Sequence, residues 1–209
     1  MAAGLTVACV YKPGGGFTDE YVYRLREGVA KHCHVPHRFV VLTNEKFEDF
    51  ETIRFTRNVP GWWNKLQLFA KDQFVGQVAY FDLDTMIVGD ITDIVTAPQE
   101  FAMLRDFYGK DRVASGMMVW NASDDWSAIY ETFSAARIPE YSKTAEKWGD
   151  QAWIGNCLQD APALLQDQFP GRIVSYKVEM KAQGKMPKGA SVVAFHGRPR
   201  PHQIGWKLP

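Results

Sequence analysis

The chain has 209 residues, 46% apolar and 23% charged, the balance of an ordinary globular protein with one α/β core. Lysine plus arginine (24) equals aspartate plus glutamate (24), so net charge offers no case for a nucleic-acid or membrane partner. No apolar run reaches the ~18 residues of a membrane span. Three scattered cysteines, Cys9, Cys33 and Cys157, suit a reducing cytoplasm and small apolar packing roles.

The opening, MAAGLTVACVYKPGG, lacks a basic leader and reads as a strand over Thr6–Tyr11, ended by Pro13-Gly14-Gly15-Gly16. A helix follows from Thr18 or Asp19 to about Lys31, with Tyr21, Leu25, Val29 and Cys33 on one stripe. Arg38–Thr43 is a second strand, so the chain opens β-α-β, which favours parallel pairing. After Pro60-Gly61, a helix over Trp62–Asp72 turns Trp63, Leu66, Phe69 and Ala70 inward. Val78–Phe81 is a third strand, apolar on both faces as a central parallel strand should be. Phe101–Leu104 and Val113–Trp120 are further strands, and Ser123–Ala136 and Gly149–Leu158 are helices. Ile173–Tyr176 and Val192–Phe195 are late strands, separated by a lysine-rich mobile loop over Lys177–Gly189.

The third strand ends in Asp82-Leu83-Asp84. Residues two apart in extended chain point to one side, so two carboxylates would stand together at a strand's C-terminal end. That end is where open α/β sheets bind ligands. Paired carboxylates repel unless a cation or a shared proton holds them, and hard oxygen ligands suit Mn²⁺ or Mg²⁺. The plain alternative is a solvated turn. Lys31-His32-Cys33-His34-Val35-Pro36-His37 is also rich in metal-ligand types. No second ligand pair follows at zinc-finger spacing, so it reads as the basic end of the first helix.

Four further segments occur in a fixed order around the aspartates. They are Gly61-Trp62-Trp63-Asn64-Lys65-Leu66, Ser115-Gly116-Met117-Met118-Val119-Trp120-Asn121, Gly149-Asp150-Gln151, and Phe195-His196-Gly197-Arg198-Pro199-Arg200-Pro201. Together with Asp82-Leu83-Asp84, the set resembles the glycogenin-like (family 8 type) retaining glycosyltransferases and their bacterial or phage relatives, from Val7 to about Pro201. The resemblance implies a GT-A (Rossmann-like) α/β fold with a mixed, mostly parallel sheet flanked by helices. It also implies a single domain with a nucleotide-binding half over about 1–90 and an acceptor and sugar half over about 91–209. Haloacid-dehalogenase-like phosphatases share an apolar strand ending in DxD, with the first aspartate as nucleophile. They place it in the first strand and follow it with Gly-Thr, whereas Thr85 follows directly here. A nucleotide-sugar-binding module without turnover is a third reading.

Carried over residue by residue, the resemblance assigns the metal to Asp82, Asp84 and His196. The donor nucleotide sugar, UDP-glucose or UDP-galactose by expectation, would meet Tyr11, Lys65, Asp82, Asp84, Gly197, Arg198 and Arg200. Gly197 allows close backbone approach to phosphate, and either arginine can grip a diphosphate bidentately. The usual spacing after the histidine is longer and the final cation is commonly lysine, so the choice between the arginines stays open. Asp150 and Gln151 match a pair beside the donor sugar, where a carboxylate would stabilise an oxocarbenium-like transition state. A helix N-cap is the plain alternative for Asp150. Asp106 and Ser115 are candidate acceptor or sugar contacts. Ala114 stands where the family often has asparagine. Little follows Pro201, so a minimal cytoplasmic domain without a membrane- or partner-binding extension is expected. The acceptor would be a glycan or another hydroxyl compound. Trp62, Trp63 and Trp120 are candidates for stacking on sugar or for core packing.

Overall fold

A computed structural model describes residues 4–142, 144 and 147–206. Strand β1 (Leu5–Val10) leads through α1 (Asp19–His32) to β2 (His37–Leu42), and β1 pairs in parallel with β2, as the β-α-β opening predicts. β3 (Glu51–Ile53) adds to β2, and β4 (Gln77–Phe81) adds in parallel to the other side of β1. β5 (Thr85–Ile87) and α2 (Thr92–Thr96) precede β6 (Phe101–Arg105) and β7 (Val113–Asn121). After α3 (Ala128–Glu131) and α4 (Gly149–Cys157) come β8 (Ala163–Leu164), α5 (Leu165–Gln168), β9 (Ile173–Ser175), α6 (Lys181–Gln183) and β10 (Val192–Ala194). The main sheet runs β3-β2-β1-β4-β7-β6-β8, with only β7 antiparallel to its neighbours. A second sheet, β5-β10-β9, stands apart from it.

Period-two alternation sorts each strand between two apolar layers. Val7 and Cys9 of β1, with Ala79 and Phe81 of β4, pack on the Tyr21, Leu25, Val29 and Cys33 stripe of α1. Ala8, Val78 and Tyr80 face the opposite layer, with Trp63, Leu66, Trp120 and Trp153. The same alternation puts Asp82 on the Tyr80 side, the layer covered by the helix over Gly61–Phe69 and by α4. A third small core, Met86, Val174, Val193 and Phe195, lies on the second sheet, with Tyr176 and Trp206 against it.

Several expectations need correction. The strand over Val78–Phe81 is the fourth, because β3 was not foreseen; Glu51-Thr52-Ile53 is too short and polar to show a period. Trp62–Asp72 narrows to a 3₁₀ helix over Gly61–Phe69, buried on every side from Trp63 onward, while Ala70 ends it half-buried. The helix over Ser123–Ala136 shrinks to α3 and a 3₁₀ stretch at Ala135–Ser142. Asn121 Oδ1 takes the Ser123 N–H and Asp125 Oδ1 takes the Ser127 N–H, so side chains compete for the backbone at its start. The lysine-rich segment is not a loop throughout: Tyr176–Met180 forms a wide helical turn that continues into α6 and closes at Gly184 (φ 64°). Ser175 starts it by accepting the N–H groups of Lys177 and Val178. Of the late strands, β10 pairs with β5 and β9 pairs with β10, all outside the main sheet.

Candidate functional site

Three chain segments meet at the end of β4. The Asp82 N–H donates to the Gly116 carbonyl of β7 (2.8 Å), and the Phe195 N–H, just past β10, donates to the Asp84 carbonyl (3.3 Å). The chain does not stay extended through the aspartates: the Thr85 N–H returns to the Asp82 carbonyl (3.0 Å), closing a turn. The carboxylates are therefore neighbours through a turn, and they serve different partners.

Asp82, half-buried, edges a buried charged cluster. Lys65, 3% exposed, places Nζ 3.0 Å from Asp82 Oδ1 and 3.0 Å from Asp150 Oδ2. The same Nζ donates to Ser115 Oγ (2.9 Å) and to the Ser115 carbonyl (3.2 Å), and Ser115 Oγ donates to Asp150 Oδ2 (2.7 Å). Tyr80 donates its buried hydroxyl to Asp82 Oδ1. Burial alone would push the Lys65 ammonium down, but the adjacent Asp150 and Asp82 charges outweigh it and raise its pKa. The Tyr80 phenol is driven well above its usual range, first by burial and then by Asp82, so it remains a donor. Lys65, expected at the donor, links two carboxylates here. Asp150 lies in the first turn of α4, where the N-cap position is Trp148, so the capping alternative does not hold. Gln151 is half-buried on the next position.

Asp84 is 6% exposed and accepts the Gly197 N–H at Oδ2 (3.0 Å). Burial, then the Asp82 charge, push its carboxyl up to about 6, against the pull of the Gly197 N–H, Arg200 and Lys65. Gly197 sits at φ 104°, a conformation open to glycine. Arg200 places Cζ over the Phe17 ring, 3.6 Å from its centroid, and its Nε and Nη1 are buried without a hydrogen-bond partner among the described residues. Its Nη1 would come within 3.2 Å of a Cβ at Gly16, so the glycine loop leaves it room. Arg198 is exposed. Lys177, not singled out by the sequence, donates Nζ to the His196 carbonyl (3.0 Å), and the Asp84 charge acts on it.

His196 does not join the aspartates. Its imidazole stacks on Phe107 (5.0 Å, 15°), and Nε2 lies 2.6 Å from Ser175 Oγ. That hydroxyl already accepts two backbone N–H groups, so its proton points at Nε2 and the ring proton sits on Nδ1. Burial, then Lys177, lower its pKa to about 4, so the ring is neutral. No three His, Cys, Asp or Glu side chains converge on a metal position among the described residues. This includes Lys31–His37, where His37 Nδ1 bonds the Val35 carbonyl and Cys33 is buried. The aspartate pair nevertheless fits a divalent cation. Lys65 and Tyr80 occupy Asp82 Oδ1 and Gly197 occupies Asp84 Oδ2, which leaves one oxygen free on each carboxylate.

Tyr11 is buried just past β1, and the register Ala8↔Tyr80 brings it to the same sheet edge as the aspartates. Asp106 Oδ1 accepts the N–H groups of Tyr108 (2.7 Å) and Gly109 (3.0 Å), shaping the loop whose Phe107 covers His196. Trp63 and Trp120 are core residues, whereas Trp62 is 59% exposed. Two surface cavities lie elsewhere. One, of about 200 Å³, is lined by Leu68 to Phe74 and Trp126; the other, of about 490 Å³, is lined by Phe101, Trp126 and Cys157. Neither touches the aspartates, Lys65 or Asp150, so the charged cluster and not cavity size marks the site.

No protein-family model and no curated protein matches the sequence. Solved structures do match. The galactosyltransferase LgtC, solved with donor and acceptor sugar analogs, superposes with a TM-score of 0.65 at 11% identity, over 94% of this chain and 88% of that one. The glycosyltransferase GlyE of Streptococcus pneumoniae TIGR4 matches with a TM-score of 0.60 at 15% identity, over 96% of this chain and 56% of that one. The bifunctional glycosyltransferase WbbM matches with a TM-score of 0.61 at 12% identity, over 96% of this chain and 47% of that one. The chain thus spans about half the length of GlyE and WbbM. The fold is GT-A, and the structural match to the family 8 glycosyltransferases LgtC and GlyE covers most of the chain.

Proposed function

We propose that this protein is a metal-dependent glycosyltransferase that moves a hexose from a nucleotide sugar, UDP-glucose or UDP-galactose, to a hydroxyl acceptor. The GT-A fold supports the reaction class, and the Asp82–Lys65–Asp150 linkage beside Asp84, with Lys65 and Asp150 buried, is the observation that carries the reading. A bound Mn²⁺ or Mg²⁺ would be held by the free oxygens of Asp82 and Asp84 and would supply charge stabilisation for the leaving diphosphate. His196 fits as a third ligand only after its ring leaves Ser175; its backbone is already tethered to Asp84 through Gly197.

The chain's own residues do the rest. Tyr11 lies at the nucleotide end of the sheet edge. Arg200 rather than Arg198 meets the diphosphate, because its guanidinium is fixed on Phe17 with donors unspent, and Lys177 adds a second cation beside Gly197. Asp150 faces the donor sugar and stabilises positive charge growing on the anomeric carbon, with Gln151 beside it. Lys65 and Ser115 hold the Asp150 carboxylate in place by a contact and a hydrogen bond at Oδ2. Asp106 shapes the loop over His196. We keep the whole chain as one catalytic domain, with its nucleotide-binding half over about 1–90. Among the described residues no helix is long and apolar enough to cross a membrane.

UDP is expected to raise the melting temperature several degrees more with Mn²⁺ than with EDTA, as ligand linkage requires. Equal shifts in both conditions remove the metal from the mechanism, and a shift with GDP but not UDP removes uridine. The phosphatase reading predicts instead a beryllium-fluoride adduct on Asp82 and turnover of phosphate monoesters. Neither is expected, because Lys65 and Tyr80 already occupy Asp82 Oδ1.

A further inference from the structure

Tyr21, buried in the first turn of α1, carries its hydroxyl to His202 Nδ1. The two rings lie edge to face, 5.8 Å between centroids and 89° apart. His202 belongs to a short 3₁₀ turn over Pro201–Ile204 that begins at Arg200. The Gln203 N–H donates to the Arg200 carbonyl (2.9 Å), and the Arg200 N–H donates to Gln203 Oε1 (2.9 Å). The Trp206 N–H then returns to the Pro201 carbonyl (3.0 Å), and Trp206 packs edge-on to Phe195, 5.6 Å between ring centroids. The backbone of Arg200 is thus closed into a turn, and His202 ties that turn to α1. The guanidinium of Arg200 has its own support in Phe17, which meets Tyr21 edge to face (5.1 Å, 85°). Tyr21 therefore touches both the ring beneath the guanidinium and the histidine two residues beyond it. Burial raises the Tyr21 phenol, and the Arg200 charge is first among those that pull it back.

We propose that Tyr21 and His202 are positioning residues for Arg200, a clasp that holds its guanidinium ready for the diphosphate of the donor. This rests on the role given to Arg200 above and adds the residues that act through it. An arginine that is mobile in the free protein loses rotamer freedom when it grips an anion, and one ordered beforehand has less to lose. Nε and Nη1 of Arg200 are already out of water and without partners, an arrangement that costs free energy and must be held in place. The Phe17 face holds the guanidinium, and the Tyr21–His202 contact holds the turn that carries it. Without that contact the turn can move off α1, and the guanidinium can return to water. Arg24 is the other cation beside Tyr21, with Cζ 5.8 Å from the ring centroid. Its Nη1 is also unpartnered, but its Nη2 donates to Glu20 (2.6 Å) on the same helix, so Arg24 serves as the control. Lys177 is held separately, at the His196 carbonyl.

The test is calorimetric titration of UDP with Mn²⁺ into the full chain, with a urea midpoint measured on every variant. Arg200→Met should weaken UDP binding about tenfold or more, as the loss of a charge-assisted hydrogen bond does. Tyr21→Phe keeps the ring and removes the hydroxyl. It and His202→Ala should each weaken UDP binding by about threefold to tenfold, the worth of one side chain ordered in advance. Added to Arg200→Met, neither change should weaken UDP further, because their route to the ligand has gone. His202 is exposed, so His202→Ala keeps the question open to measurement if Tyr21→Phe folds poorly. Unaltered UDP binding by both Tyr21→Phe and His202→Ala overturns the clasp alone. So does a loss that recurs in full in the Arg200→Met background, which is the mark of a scaffold role. A loss with Arg24→Met and none with Arg200→Met removes Arg200 from the diphosphate and the clasp with it, and leaves the metal reading standing. A wild-type chain that binds no UDP overturns the donor reading itself, and the clasp falls with that reading.

Discussion

Asp150→Asn is expected to lower turnover of a UDP-sugar by about a hundredfold or more, close to 2.7 kcal/mol of transition-state stabilisation. The substitution keeps an oxygen able to accept from Ser115 Oγ and Lys65 Nζ, so the shape of the cluster survives while the negative charge is lost. Lys65 keeps Asp82 as a counter-charge. The metal-dependent melting shift with UDP should change little, because the free carboxylate oxygens of Asp82 and Asp84 are untouched. Asp84→Asn should differ, losing both that shift and turnover. UDP release from a UDP-sugar, with UDP-induced melting on the same samples, separates the cases. A folded Asp150→Asn protein with near-normal activity would end the sugar-side role of this carboxylate.

The sequence displayed the main sheet well because its strands carry strong apolar runs. Thr6–Tyr11, Arg38–Thr43, Val78–Phe81, Phe101–Leu104 and Val113–Trp120 all lie within one or two residues of β1, β2, β4, β6 and β7. The α1 stripe of Tyr21, Leu25, Val29 and Cys33 is wholly buried, as a spacing of four predicts. What periodicity could not show was set by contacts distant in sequence. β5 is three residues long and exists because Ala194 pairs with Thr85 and Val192 with Ile87, more than a hundred positions away. Nothing within Thr85-Met86-Ile87 announces that a second sheet begins there.

The site was legible as residue types and less so as partnerships. The aspartates, Lys65, Ser115 and Asp150 do come together, but the two-residue spacing of Asp82 and Asp84 suggested extended chain where the structure has a turn. Tyr80 was readable after the fact: in a strand it must share a face with Asp82, and its hydroxyl does reach that carboxylate. Lys177 was hidden by its setting among other lysines. Its signal was the serine two residues earlier, which caps the helical turn that aims the ammonium at the His196 carbonyl. His196 had the right neighbours in sequence, and its ring is drawn aside by Ser175 and Phe107, which no local pattern displays.

Lys65→Met is expected to be the most destabilising single change at the site. Methionine matches the length of the stem, so packing against the Tyr80 ring, 5.2 Å from Nζ, is largely kept. What disappears is the ammonium that stands within 3.0 Å of both Asp82 and Asp150. Breaking a buried ion pair from one side leaves an uncompensated charge and costs about 3–5 kcal/mol, against a total stability of about 5–15 kcal/mol for a typical domain. Ser115 Oγ would also lose a donor and keep only its bond to Asp150. Urea denaturation should show a lower midpoint with an unchanged slope. Adding Asp150→Asn to Lys65→Met removes one of the stranded carboxylates, so the double variant should recover about 1–3 kcal/mol relative to the sum of the single changes. A lysine that merely reached toward a bound donor from the surface would give neither result. It would leave the urea midpoint of the free protein near wild type, and its loss would add to that of Asp150 without coupling.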